Sequence, residues 1–185
     1  TTLFRSGLSS DGPVWVWRKA NERYRPQCTI GRSSIRQSIM YWGCISHDGT
    51  VSLARCSNNM KASEYIDALE WAAIQASSEF GLVFMDDNAP IHRAHIVQEW
   101  KTRNGVDSLH WPAYSPDLNP IENIWGLIKN KIHSNAYPPT TLAELDAAVQ
   151  REWDNLTPGY IEQLYSSMKR RLLACIRAHG FPTKY

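Results

Sequence analysis

Tyr114-Ser115-Pro116-Asp117-Leu118-Asn119-Pro120-Ile121-Glu122-Asn123-Ile124-Trp125-Gly126 is the stretch on which the fold turns. Its first half is turn chemistry, with Pro and Asp setting up a tight loop. Its second half is a helix start: Asn119 at the N-cap, Pro120 at the first helical position and Glu122 at the third. Ile121, Ile124, Trp125, Ile128 and Ile132 then recur at helical spacing and predict an amphipathic helix from Asn119 to about Ser134. Glu122 thus stands on a first helical turn, where free backbone N–H groups favour a charged carboxylate. A glutamate there commonly caps its own helix. It is also suited to hold a cation, and the two roles can coexist.

Upstream, Leu82-Val83-Phe84-Met85 reads as a short buried strand, followed by Asp86-Asp87-Asn88-Ala89-Pro90-Ile91-His92. Asp87 falls just past the carboxyl end of that strand, the edge where open α/β sheets bind ligands. Thirty-four residues separate Asp87 from Glu122. A carboxylate at a strand end and another on a later helix can meet over a divalent ion. Mg²⁺ is held by one or two carboxylates together with substrate phosphates, so the pair suits metal-assisted phosphodiester chemistry. Capping of the following helix is the other role open to Asp87. His92 can orient Asp87, touch a phosphate or cap, and its spacing does not choose among these. Asn88 is a second supporting candidate. His92 and His95 lack the i, i+4 spacing of a zinc helix. Asp86 and Asp117 read as structural or solvated. Gly126, one turn after Glu122, keeps that helix face open.

The remaining chain supplies strands first and helices later. Val14-Trp15-Val16-Trp17 is a short extended run after an Asp11-Gly12-Pro13 turn signal. Ser38 to Ser46 reads as a strand, His47-Asp48-Gly49 as a hairpin turn, and the residues to Cys56 as the antiparallel return. Tyr65, Ile66, Leu69, Ala72, Ala73, Ala76 and Phe80 mark a helix with Ser63 as cap and Gly81 as stop. Ile91 to Trp100 reads as a helix ended by Gly105, and Val106 to Trp111 as a strand. After Pro138-Pro139 a helical pair spans residues 141–178, the first member opened by the capping box Thr141-Leu142-Ala143-Glu144. Antiparallel strands, then β-α units, then helices make an α/β protein: a mixed sheet flanked by helices. Trp17, Trp42, Trp100, Trp125 and Trp153 fall on apolar faces as core candidates.

The 185 residues suffice for one domain with a proper core, and 43% hydrophobic with 21% charged residues excludes a disordered chain. No run of 18 apolar residues is present, so no membrane-spanning helix is expected, and Thr1-Thr2-Leu3-Phe4 is unlike a signal peptide. Cys28, Cys44, Cys56 and Cys175 form no C-x-x-C pair and read as buried reduced thiols. A net charge of +2 does not announce a nucleic-acid binder. Its distribution says more, because the basic loop read over residues 14–37 carries Arg18, Lys19, Arg23, Arg25, Arg32 and Arg36 against Glu22. Such a stripe could neutralise phosphates; a solvated face is the alternative. Trp15 and Tyr24 lie beside it, placed for stacking on bases or packing on a partner subunit.

Asp87-Asn88-x-Pro90-x-His92, the thirty-four-residue gap and the Tyr114–Gly126 block together resemble the catalytic domain of Tc/mariner transposases, in its Tc branch. Val14-Trp15-Val16-Trp17-Arg18, Tyr41-Trp42-Gly43-Cys44-Ile45-Ser46, Glu64-Tyr65-Ile66-Asp67 and Pro182-Thr183-Lys184-Tyr185 match as well, so the resemblance covers essentially the whole chain. It implies a ribonuclease-H-like fold with extra C-terminal helices. It implies an enzyme that cuts a DNA element out and joins it elsewhere, using three acidic residues and two Mg²⁺ ions, with Mn²⁺ as a possible substitute. Asp87 matches the second acid and Glu122 the third, both catalytic and metal-binding. The implied partners are transposon ends, target DNA and a second copy in a homodimer; the implied compartment is the nucleus. The six basic residues occupy the place of a loop that contacts DNA and the partner subunit. In relatives the first acid lies on the first strand, just ahead of the position of Thr1. The sequence therefore reads as a fragment, its first strand largely missing, and negligible cleavage is expected of this chain alone. The rival reading is a non-catalytic remnant serving as a DNA-binding or dimerisation module.

Overall fold

The computed structural model describes residues 2–7, 38–80, 83–112, 115–181, 183 and 185, with 73–80 as backbone alone. Three strands, β1 (Thr2–Gly7), β2 (Ser38–Ser46) and β3 (Gly49–Cys56), form an antiparallel sheet in that order. The β2–β3 hairpin turns at His47-Asp48, where the sequence predicts it. β1 pairs with β2 in register from Thr2↔Gly43 to Gly7↔Ser38. The first strand, expected to be largely missing, is thus present over six residues. Nothing local in Thr2–Gly7 announces it; the pairing is with residues more than thirty positions away.

β2 is buried from Ile39 to Cys44, because successive side chains point to opposite faces and both faces are covered. Ile39 and Tyr41 join one core with α3 (Pro120–His133), α4 (Leu142–Asp154) and α5 (Pro158–Ser166). Met40, Trp42 and Cys44 join the other, with α1 (Ala62–Phe80), α2 (His95–Arg103), Phe84 and Val106. Trp42, Trp125 and Trp153 are core residues as expected; Trp100 is only half-buried, and Trp17 lies outside the described residues, as do Cys28 and the basic loop. Cys44, Cys56 and Cys175 are free thiols. Burial pushes Cys44 and Cys56 up to about 11, so neither is a ready nucleophile.

Of the strands expected at 82–85 and 106–111, the described residues show one parallel bridge between Phe84 and Ser108, and Leu82 lies outside them. Phe84 N–H donates to the Asp107 carbonyl and Leu109 N–H to the Phe84 carbonyl, both at 2.8 Å. Val83 is 62% exposed and Leu109 50% exposed, so the apolar run is not buried along its length. The helix expected from Ile91 begins only at His95, after a turn over Pro90–Arg93. It ends as expected at Gly105, whose φ of 65° suits glycine, with Val106 N–H bonded back to the Lys101 carbonyl.

The capping box on Thr141 and Glu144 forms as the sequence predicts. The C-terminal pair, however, is three helices, because its second member breaks at Ser167 into α5 and α6 (Met168–Arg177). Ser167 Oγ donates back to the Leu164 carbonyl at 2.6 Å, a bond that bends helices. The break directs the buried Arg171 onto Ser167 Oγ and onto the Asp117 carbonyl at 3.1 Å. Thr183 donates to the Asp117 carboxylate at 2.8 Å. Asp117 is structural: it ties the short 3₁₀ turn Pro116–Leu118, which leads into α3, to the end of the chain.

Candidate active site

Asp87 follows the Phe84 bridge by three residues, and Glu122 sits on the first turn of α3. Asn119 caps that helix through its own side chain, accepting from Ile121 N–H at 3.4 Å. The Glu122 carboxylate is therefore not needed as a cap, and it accepts instead from the hydroxyl of Thr2 at the start of β1. Thr2, Asp87 and Glu122 line one cleft of about 500 Å³, with Asn88, Arg93 and Trp111 among its other walls.

The two carboxylates differ in their electrostatics. Burial is the largest influence on both and disfavours ionisation. At Asp87 it is outweighed by the hydrogen bond and charge of His92 and by the Ala89 N–H, so its carboxyl lies below the ordinary value. At Glu122 burial prevails despite the Thr2 hydroxyl, and the negative charge of Asp87 raises the carboxyl further. Asp87 ionises first and its charge then opposes that of Glu122. Such a pair of hard oxygen donors suits Mg²⁺ or Mn²⁺ rather than a thiophilic metal, and a cation between them would relieve the strain on Glu122. Among the described residues no group of three or more His, Cys, Asp or Glu side chains is placed to share an ion.

His92 lies behind Asp87. Its side chain is wholly buried, its Nδ1 is 2.7 Å from Asp87 Oδ1, and its ring stacks on Tyr65 at 4.2 Å. Burial leaves His92 no access to a phosphate. Asn88 braces the cleft by donating to the Trp111 carbonyl at 2.5 Å. Asp87 does not cap α2, whose N-cap is Ala94; its own turn is closed locally by Ala89 N–H at 3.0 Å. Gly126 is exposed, with open space where a Cβ would point, and is not a cleft wall. Arg18, Lys19, Arg23, Arg25, Arg32 and Arg36 lie outside the described residues. Sequence reasoning missed Thr2 and Arg93, the cation among the described cleft walls. For Arg93 adjacency to His92 was the available signal; for Thr2 there was none.

Thr2 serves two partners, accepting from Trp125 Nε1–H at 2.9 Å while donating to Glu122. Thr2→Val keeps the shape and removes both bonds. A buried indole N–H without an acceptor costs about 1–3 kcal/mol, and Glu122 loses the group that holds its carboxyl down. Chemical denaturation should show the loss, and a proton titration of Glu122 should move to still higher pH.

A three-stranded antiparallel sheet with helices on both faces, a parallel bridge at Phe84 and a helix starting at Pro120 make an α/β fold of the ribonuclease-H-like kind. The chain belongs to the DDE superfamily endonucleases, whose family model matches residues 15–144. It is 36% identical over 189 residues to the transposable element Tcb1 transposase of Caenorhabditis briggsae, covering 96% of this chain and 66% of that protein. It is 33% identical over 188 residues to the Tc1 transposase of Caenorhabditis elegans, again covering 96% of this chain and 66% of the relative. The chain thus spans a little under two thirds of these relatives' length. Among solved structures, the Mos1 transposase catalytic domain with Raltegravir and Mg superposes with a TM-score of 0.69 at 16% identity, over 80% of this chain and 78% of that one. A pre-cleavage Mos1 transpososome superposes with a TM-score of 0.77 at 12% identity, over 99% of this chain and 56% of that one. At these identities the likeness concerns the fold.

Proposed function

We propose that this chain is the catalytic core of a cut-and-paste DNA transposase, cleaving and joining strands at element ends with divalent metal held by Asp87 and Glu122. The observation that carries the reading is the meeting of these two carboxylates in one cleft, close enough for the charge of Asp87 to act on Glu122. The relatives named as transposases support it, as do Mos1 structures described with Mg, with Mn and with a transposon end.

In this reading each side chain has a task. Asp87, kept ionised by His92 and Ala89, and Glu122, at the N-terminus of α3, hold the metal. Bound there, a divalent cation supplies Lewis-acid charge to the phosphodiester. Thr2 orients Glu122, and Arg93 offers a guanidinium to a backbone phosphate. The substrates are element ends and target DNA, a second copy completes the assembly, and the nucleus is where chromosomal DNA is met. No helix among the described residues is long and apolar enough to cross a membrane.

The test is metal-dependent nicking of element-end DNA by a full-length transposase that carries these residues as its catalytic core. Asp87→Ala and Glu122→Ala should each lower the rate roughly a thousandfold, the equivalent of about 4 kcal/mol of lost charge stabilisation. The 185 residues alone should cleave negligibly. Unchanged nicking by Glu122→Ala would sink the proposal. Metal binding should also respond to pH. The Glu122 proton competes with the cation, and its carboxyl is raised, so Mn²⁺ affinity should fall on acidification from a higher pH than an ordinary glutamate would give. The same sign makes metal stabilising at neutral pH, where an ionised Glu122 costs the fold, so added Mn²⁺ should raise the melting temperature.

A further inference from the structure

We infer that His92 is a positioning residue that decides which oxygen of Asp87 meets the metal: its Nδ1 clamps Oδ1 and leaves Oδ2 for the cation. The inference rests on the reading of Asp87 as a metal ligand. Two atoms flank Nδ1, the Asp87 carboxylate oxygen Oδ1 at 2.7 Å and the Asp87 backbone carbonyl at 3.1 Å. Both are acceptors, so Nδ1 carries the hydrogen. The Ala89 N–H reaches Oδ1 as well, at 3.0 Å. Among the described residues, both donors to this carboxylate fall on one oxygen. With Oδ1 engaged twice, Oδ2 is the oxygen with lone pairs to give.

The clamp is itself held. The Tyr65 ring stacks on the imidazole with an interplanar angle of 26°, and its hydroxyl is fixed on Asp86 at 2.8 Å. His92 Nε2 is buried without a hydrogen-bond partner among the described residues. All of the polar work therefore passes through Nδ1. That asymmetry separates positioning from mere packing, because asparagine places an amide N–H near Nδ1 while glutamine places one near Nε2.

The experiment is a Mn²⁺ titration, followed by electron paramagnetic resonance, of this chain and its variants, with circular dichroism confirming that each is folded. His92→Ala should weaken Mn²⁺ binding roughly 10–100-fold, the usual scale for groups that orient a metal ligand. His92→Asn should recover most of the affinity, and His92→Gln should behave like His92→Ala. The two amides lose the stack on Tyr65 alike, so a difference between them reports the Nδ1 clamp even if both are less stable. Wild-type affinity in His92→Ala, or equal rescue by Asn and Gln, overturns the inference. Asp87→Asn, run alongside, tests the reading beneath it. If Asp87→Asn binds Mn²⁺ as tightly as the wild type, Asp87 is not a ligand and both fail. If it binds weakly while His92→Ala does not, only the positioning role falls.

Discussion

Lys101→Met lowers the stability of the fold by about 3–5 kcal/mol, the usual cost of breaking a buried ion pair from one side. Lys101 and Asp86 meet at 2.7 Å with side chains only 4% and 12% exposed. The Tyr65 hydroxyl donates to the same Asp86 oxygen, and the ammonium lies 4.9 Å from the centre of the Phe84 ring. Removing the cation leaves a mostly buried carboxylate that keeps the Tyr65 hydroxyl as a donor but loses its ion partner. For a chain of this size about 2–4 °C of melting temperature goes with each kcal/mol, so a fall of roughly 10 °C is expected by calorimetry. Asp86→Asn combined with Lys101→Met should recover more than half of it, because removing both charges costs less than stranding one. A single variant as stable as the wild type would show that the pair is not desolvated as its burial implies.

Gly43→Ala should cost about 3 kcal/mol, the upper end of the range for overpacking. A Cβ at Gly43 would lie 2.5 and 2.7 Å from Cζ2 and Cη2 of Trp125, and 3.0 Å from Cη2 of Trp153. Neither ring has room to yield. Trp125 is stacked on Phe4 at 4.7 Å and on Trp153 at 5.2 Å, and its Nε1–H is bonded to Thr2. Trp125 stands three residues after Glu122, so displaced strain passes into the helix that carries the carboxylate. Urea denaturation measures the cost. Gly126→Ala is the control: it sits in α3 with open space around it, and it should stabilise by up to about 1 kcal/mol through helix propensity. Equal effects at the two glycines would refute the packing argument.

What the sequence revealed was local. Asn119, Pro120 and the isoleucine period fix α3, and with it the place of Glu122. The Thr141 capping box and the Gly105 stop are similarly short-range signals, and the structure contains both. Asp87 was legible because an apolar run ended just before it. The pairing of β1 with β2 was not, since it joins segments far apart in the chain. The same holds for Lys101 with Asp86, for Thr2 with Glu122, and for the burial of His92 under Tyr65. Apolar content at Leu82–Met85 and Val106–Trp111 overstated the strands, because composition does not reveal which residues will be left facing solvent. Ser167 broke a continuous helical period through one side-chain bond to a carbonyl, which periodicity cannot detect.

β2 contributes alternate side chains to two separate apolar clusters, one on each face of the sheet. Neither cluster can melt without stripping a wall from the other, which ties both to a single cooperative transition. The domain is therefore poor material for modular shuffling. A crossover or splice inside Ser38–Ser46 would hand over neither cluster whole.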